Sequence, residues 1–280
     1  MEKNLYFSVI IPTLNEEKCL PTILTSIRNQ TFKDFELYVC DGGSKDKTKQ
    51  VFEKYTTGLP NFFYILSTKK SVGYQRNLGA KHARGEYLIF LDADVDVSPT
   101  FLEELHISTI KRKFSMATTW ILPDSKKAID NLMILFGNLL SELAKEVNRQ
   151  FSGGYNTIIK RDIFWKLNGF REDLKINEDH DLAIRAFKKG IECVILKEPR
   201  VVYSLRRFRS EGTIKLLRKY TYGQIYNLLK GPITRELFDY QMGGDAHMLR
   251  KRKKPDLIRL NTYLRGIEKF EKKITELFKE

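Results

Sequence analysis

Residues 87–94 read YLIFLDAD, an apolar run that stops on two acids one residue apart. Five consecutive apolar residues suit a strand buried on both faces. Such strands belong to parallel sheets covered by helices, and their carboxyl ends are where α/β sheets bind ligands. Alternation along an extended strand end points Asp92 and Asp94 the same way, so both can reach one ligand.

Working outward, the layout recurs. Residues 7–11 (FSVII) run into Pro12-Thr13-Leu14-Asn15-Glu16, and residues 35–40 (FELYVC) run into Asp41-Gly42-Gly43-Ser44. Helical periods predict helices over 16–29, 47–55 and 72–83, with another strand at 62–66. Beyond Asp94 the alternation loosens. Helices are predicted over 100–110, 128–149 and 161–167, strands at 115–121, 157–160 and 192–196, and a Gly-containing segment at 151–156. Asn177-Glu178-Asp179-His180-Asp181 opens a helix that Gly190 ends. The fold class is α/β, a Rossmann-like, mainly parallel central sheet flanked by helices. Residues 1–203 form the main domain, in halves of about 1–97 and 98–203. Residues 204–280 form a basic C-terminal extension with helical patterns at 213–230 and 256–278.

The chain has 280 residues, 42% hydrophobic and 30% charged, enough for a covered core and against wholesale disorder. Its formal charge is +14, but the first 200 residues hold 30 basic and 26 acidic residues, and residues 201–280 hold 19 and nine. An anionic partner is implied, and it belongs with the extension rather than the main domain. Cys19, Cys40 and Cys193 form no C-x-x-C pair, which excludes a zinc cluster or disulfide framework and points to a reducing compartment. The first residues, MEKNLYFSVIIP, do not read as a secretory signal, and no apolar run reaches the roughly 20 residues of a spanning helix. The expected location is cytoplasmic, soluble or peripheral on the cytoplasmic face of a membrane. A nucleotidyltransferase would carry a Gly-rich triphosphate loop after Ile11, which is lacking. A nucleic-acid-binding protein would show aromatic-interleaved basic strands or a recognition helix, also lacking, so no nucleic-acid partner is expected.

Four stretches together, VIIPTLNEE (9–17), VCDGGSKDKT (40–48), GYQRNLGAKHARGEYLIFLDADV (73–95) and NEDHDLAIRAFKKG (177–190), resemble the family 2 glycosyltransferases of GT-A fold. The resemblance implies an inverting enzyme that moves a sugar from a nucleoside-diphosphate donor, assisted by Mg2+ or Mn2+. It implies that Pro12 and Thr13 line the base, Glu16 faces the ribose, Asp41 accepts from a base N–H, and Arg76 lies near base or diphosphate. A carboxylate reading a ring N–H suits uracil or guanine alike, so UDP- and GDP-sugars both stay open. Asp41 also reads as a turn former before Gly42-Gly43, while Glu17 reads as a first-turn acid on a helix dipole.

Asp92-Ala93-Asp94 resembles the family's DXD motif, with Asp94 on the metal and Asp92 shared between ribose and metal. Asp96 reads as a surface acid. The family's general base is the Asp of an E-D pair, here Asp179 after Glu178, with Asp181 as the alternative; helix capping is the competing role for this cluster. Relatives that place a metal-binding His after the last core strand are not matched, because residues 201–204 are VVYS. Arg206 or Arg207 could grip a phosphate there, and Arg207 is the chosen candidate.

The acceptor is expected to be a glycan or a polyprenyl phosphate. Leu132, Met133, Leu135, Phe136, Leu139, Leu140 and Leu143 have the spacing of a helix packed on the sheet; the alternative is an apolar face on a membrane or lipid acceptor. The basic extension, including Lys251-Arg252-Lys253-Lys254, would favour a membrane surface or a homodimer.

Overall fold

Strand β1 (Phe7–Thr13) has every side chain buried, and two parallel neighbours explain why. It lies between β2 (Phe35–Asp41) and β4 (Tyr87–Leu91), and β3 (Phe62–Leu66) extends the parallel set from β2. The computed structural model describes residues 5–146, 155–230, 233–234 and 243–244. The chain divides into two compact units, Met1–Met248 and Leu249–Glu280. The second, with the helix expected at 256–278 and the 251–254 basic run, lies outside the described residues, as do residues 147–154.

One sheet runs β3-β2-β1-β4-β7-β6-β8-β5. Strand β7 (Asn156–Lys160) is antiparallel to β4 and to β6 (Met116–Pro123), and β6 runs parallel to β8 (Cys193–Tyr203). The three-residue β5 (Val95–Val97) follows β4 closely in sequence yet pairs antiparallel with the end of β8, Val95 opposite Tyr203. The Asp92-Ala93-Asp94 segment therefore crosses between the two halves of the sheet. Antiparallel pairing also sets residues 204–206 beside Asp94.

Alternate residues feed two cores. Val9 and Ile11 join Leu20, Ile23 and Ile27 of α1 (Leu20–Arg28) on one face. Ile10, Leu88 and Phe90 meet Phe164 of α6 (Arg161–Lys166) and Leu182 of α7 (Glu178–Phe187) on the other. Each fully buried side chain of this size contributes roughly 1.5–3 kcal/mol. Helix α3 (Val72–His82), capped by Ser71 accepting from the Tyr74 N–H, lies tight on the sheet. At Gly79 a Cβ would stand 2.6 Å from Ile10 Cγ2 and 2.9 Å from Cys40 Sγ, so only glycine permits that approach. Helices α2 (Thr48–Thr56) and α4 (Phe101–Arg112) complete the first half.

Several elements differ from the sequence reading. The helix expected from residue 16 begins at Leu20, because Asn15 takes φ 54° and the Glu16 N–H donates to Thr48 Oγ1 instead. Strand β8 continues past Leu196 to Tyr203 along β6, and β5 and α8 (Arg206–Glu211) were not legible. The long helix α5 (Ala128–Glu146) does not spend its apolar residues on the sheet. Ile134 and Asn138 are buried there, whereas Leu132, Leu135, Phe136, Leu139, Leu140 and Leu143 are exposed, Leu132 by 62% and Phe136 by 60%. The expectation of packing for the whole set is corrected to packing by one narrow edge. Helix α9 (Thr213–Lys230) follows α8.

Candidate active site

The carboxyl ends of β1, β2 and β4 deliver their polar clusters to one edge, as the register requires: Thr13 lies opposite Asp41. The first two loops are laced together. Asn15 N–H donates to Ser44 Oγ (2.7 Å), Lys45 N–H to Asn15 Oδ1 (2.8 Å), and Glu17 N–H to Asp46 Oδ2 (3.0 Å). Glu17 is thus no first-turn acid of α1: its carboxylate accepts from the Lys47 N–H at 3.0 Å, since α1 starts three residues later. Gln75, which the sequence reading passed over, donates from Nε2 to both the Thr13 and Cys40 carbonyls, at 2.8 and 2.7 Å, and so fixes the gap between β1 and β2. Gly244 closes on the same loop. Its N–H donates to the Leu14 carbonyl at 3.0 Å, and a Cβ there would collide with the Asn15 carbonyl.

Pro12 and Thr13 are buried at the end of β1, and the Thr13 hydroxyl has no hydrogen-bond partner among the described residues. A buried hydroxyl without a partner costs roughly 1–3 kcal/mol, which a ligand would recover. Asp41 is 2% exposed, and its carboxylate accepts from Ser44 N–H and Oγ and from Tyr64 O–H at 2.6 Å. The turn-forming role is therefore filled.

Two arginines organise the remaining acids. Arg76, 2% exposed, donates to Asp92 Oδ1 at 2.9 Å and to Glu178 Oε1 at 2.6 Å. It joins the first acid of the Asp92-Ala93-Asp94 segment to the Glu-Asp pair that opens α7. Burial raises Asp92 above the ordinary carboxylate range, against the pull of Arg76 and with Asp94 and Glu178 adding to it. Burial likewise raises Glu178. Asp179 goes the other way: burial would raise it, but His180 and then Arg76 outweigh burial and hold it below the usual range. It is 8% exposed, with His180 Nδ1 at 3.7 Å. Asp181, by contrast, is engaged by Arg185 Nε at 2.7 Å. Asn177 makes no side-chain cap, so this cluster is not a simple capping motif.

The second arginine is Arg206. It donates from both terminal nitrogens to Glu16 Oε1 and Oε2 at 2.7 Å and from Nε to Asp94 Oδ2 at 2.9 Å. Burial raises Glu16, Arg206 lowers it, and it stays above its ordinary value. Arg207, the candidate chosen from the sequence, makes none of these contacts; of the two neighbours it is Arg206 that reaches the loop acids. Asp96 accepts from Ser26 Oγ and the Val97 N–H, a packing role between α1 and β5. Among the described residues no group of three or more His, Cys, Asp or Glu side chains could hold a metal alone. Asp92 and Asp94 supply hard carboxylate oxygens, which fits a cation such as Mg2+ or Mn2+ held partly by the phosphates of a bound nucleotide.

Sheet order and strand-end loops together define a GT-A domain, with Arg76 tying an acid at the end of β4 to one at the start of α7. The sequence profile described as "Glycosyl transferase family 2" matches residues 8–167, and the chain belongs to that family. It is 28% identical over 215 residues to the poly(ribitol-phosphate) beta-N-acetylglucosaminyltransferase TarS of Staphylococcus aureus (strain MW2), covering 72% of this chain and 36% of that protein. It is 31% identical over 148 residues to the GalNAc(5)-diNAcBac-PP-undecaprenol beta-1,3-glucosyltransferase of Campylobacter jejuni, covering 52% of this chain and 42% of that one. The chain thus spans less than half the length of these curated relatives. Among solved structures, S. aureus TarS 1-349 in complex with UDP-GlcNAc matches with TM-score 0.60 and 24% identity over 71% of this chain and 58% of that chain. The mannosyltransferase PcManGT of Pyrobaculum calidifontis, in complex with GDP-Man and Mn2+, matches with TM-score 0.58 and 18% identity over 79% of this chain and 65% of that one.

Proposed function

We propose that the protein is an inverting glycosyltransferase that moves a sugar from a UDP- or GDP-sugar to an acceptor hydroxyl or lipid phosphate, with Asp179 as general base. The observation that carries this reading is the Arg76 bridge, which ties Asp92 of the donor loop to the Glu178-Asp179 pair. Pro12 and Thr13 would line the base, and the partnerless Thr13 hydroxyl offers it a hydrogen bond. Glu16 would face the ribose and Asp41 the base N–H, the latter by sharing a carboxylate already bonded to Ser44 and Tyr64.

Asp179, held ionised by His180 and Arg76, takes the acceptor's proton as the acceptor oxygen bonds to the anomeric carbon. The bond from that carbon to the diphosphate oxygen breaks on the opposite face, and the nucleoside diphosphate leaves with the bonding pair. Asp94, with Asp92, would hold Mg2+ or Mn2+, whose charge neutralises the leaving diphosphate. Arg76 positions Asp92, and Arg206 or Arg207 would face a phosphate.

Relatives named for undecaprenol-linked and poly(ribitol-phosphate) acceptors support a glycan or polyprenyl-phosphate acceptor. The exposed apolar face of α5 supports work at a membrane surface on the cytoplasmic side, with the basic extension of residues 204–280 attracting anionic lipid. No described helix is long and apolar enough to cross a membrane.

Titrating UDP-, GDP- and dTDP-sugars with Mn2+ into the wild type and Asp94→Ala tests the donor reading. Binding that Asp94→Ala weakens supports it; no nucleotide-sugar binding by either protein sinks it. Sedimentation with anionic liposomes at low salt tests the surface reading. A homodimer in place of lipid binding would assign the α5 face to a second copy.

A further inference from the structure

The two arginines of the site differ in what they could give up. Arg76 is 2% exposed on α3, a helix packed directly on the sheet, and removing it would strand two acids. Arg206 is 19% exposed and sits on α8, a six-residue helix with no buried side chain. Its place is set from both ends. The pairing of Val95 with Tyr203 brings residue 204 alongside Asp94, and Leu205 is buried in the core. Asp124 then accepts from the Leu205 N–H at 3.0 Å and from Arg209. From that mount the Arg206 guanidinium reaches back across the loop edge to Glu16 and Asp94, and on to Cys19 Sγ at 3.0 Å.

A planar guanidinium fork satisfied by two carboxylates is a strong, directional contact. It also takes a carboxylate oxygen of Asp94, the acid that the donor reading gives to a metal ion. A divalent cation on Asp94 would share that carboxylate with a fixed positive charge a few ångströms away, and the two repel. Resting on the donor-site reading above, we propose that Arg206 is a resident cation that neutralises Glu16 and Asp94 while the site is empty. A divalent cation on Asp94 displaces it, and α8 loosens as it leaves. Without that guanidinium Glu16 and Asp94 would stand near each other uncompensated. The site would open only to a ligand that brings its own positive charge.

Mn2+ binding without nucleotide, read by electron paramagnetic resonance of the free ion, tests this in the wild type, Arg206→Gln and Arg206→Lys. Arg206→Gln should bind Mn2+ roughly tenfold more tightly than wild type, on the scale of one half-buried like-charge interaction, with Arg206→Lys between them. Amide hydrogen exchange on the unmutated chain should show faster exchange at residues 206–211 when Mn2+ is saturating, which needs no variant to fold. Unchanged or weaker Mn2+ binding by Arg206→Gln overturns the proposal. So does unaltered exchange at 206–211, or the absence of Mn2+ binding in every variant. Adding UDP or GDP separates the two readings: no nucleotide binding alongside the expected Mn2+ results counts against the donor site and not against the exchange of cations.

Discussion

In the first half of the sheet, β1, β2 and β4 bury every side chain, and the acids at their ends are each bonded to an arginine, a hydroxyl or a backbone N–H. In the second half, α5 turns seven large apolar side chains, from Ile129 to Leu143, toward solvent. The contrast is one of completeness. The acids of the first half are already paired within the chain, as the proposed donor site asks of partners oriented in advance. A contiguous apolar face is a surface that expects a cover.

The sharpest test of this division lies at its seam, where Arg76 joins the halves. Asp179→Asn should lower turnover by roughly 10²–10⁴-fold, the usual contribution of a general base, while nucleotide affinity holds; single-turnover assays and calorimetry separate the two. Arg76→Met should cost about 3–5 kcal/mol in urea unfolding, because Asp92 and Glu178 would be left facing each other without their shared cation.

Paired substitutions can break the comparison outright. Phe90→Ala, in the first half's core, should cost about 3–5 kcal/mol. Phe136→Glu on α5 should change stability by no more than about 0.5 kcal/mol, yet abolish sedimentation with anionic liposomes. Equal stability losses from both would mean that α5 is packed in solution and that the contrast is false.

The smallest effect concerns α8. Burial alone would raise Asp124, but Arg209 and the Leu205 N–H outweigh it and lower it below its ordinary value of 3.8. A folded state with a depressed carboxylate keeps this stabilisation above that value and loses it as pH falls below. Protection of the amides of residues 206–211, taken relative to the intrinsic exchange rate at each pH, should therefore hold near neutrality and fall only below about pH 4. Asp124→Asn should cost roughly 0.2–1 kcal/mol, the range of a largely exposed pair.

Much of this was legible in the residues. The apolar run of five set β4 to the residue, because a strand buried on both faces has no polar position to blur its ends; the run at 62–66 was equally readable, although β3 is a half-buried edge strand. The acids at strand ends were visible because little else puts carboxylates directly after such runs. What escaped depended on contacts far apart in sequence. Nothing local says which of Arg206 and Arg207 meets Asp94; that contact follows from β5, three residues long, pairing with the end of β8. Helical spacing on α5 is the same whether the stripe faces a sheet or a lipid. Gln75 carried no signal, since its value lies in two carbonyls from two different strands.

The bond from the Gly244 N–H to the Leu14 carbonyl joins late sequence to the first loop of the molecule. Thermodynamic linkage gives that bond a reach beyond its own strength. If the loop at residues 14–16 gains order by holding a nucleotide, Gly244 gains order with it, and each equilibrium carries the other's free energy. Shortening the protein before Gly243 would then be felt as a change in nucleotide affinity, at a site whose residues are all left in place.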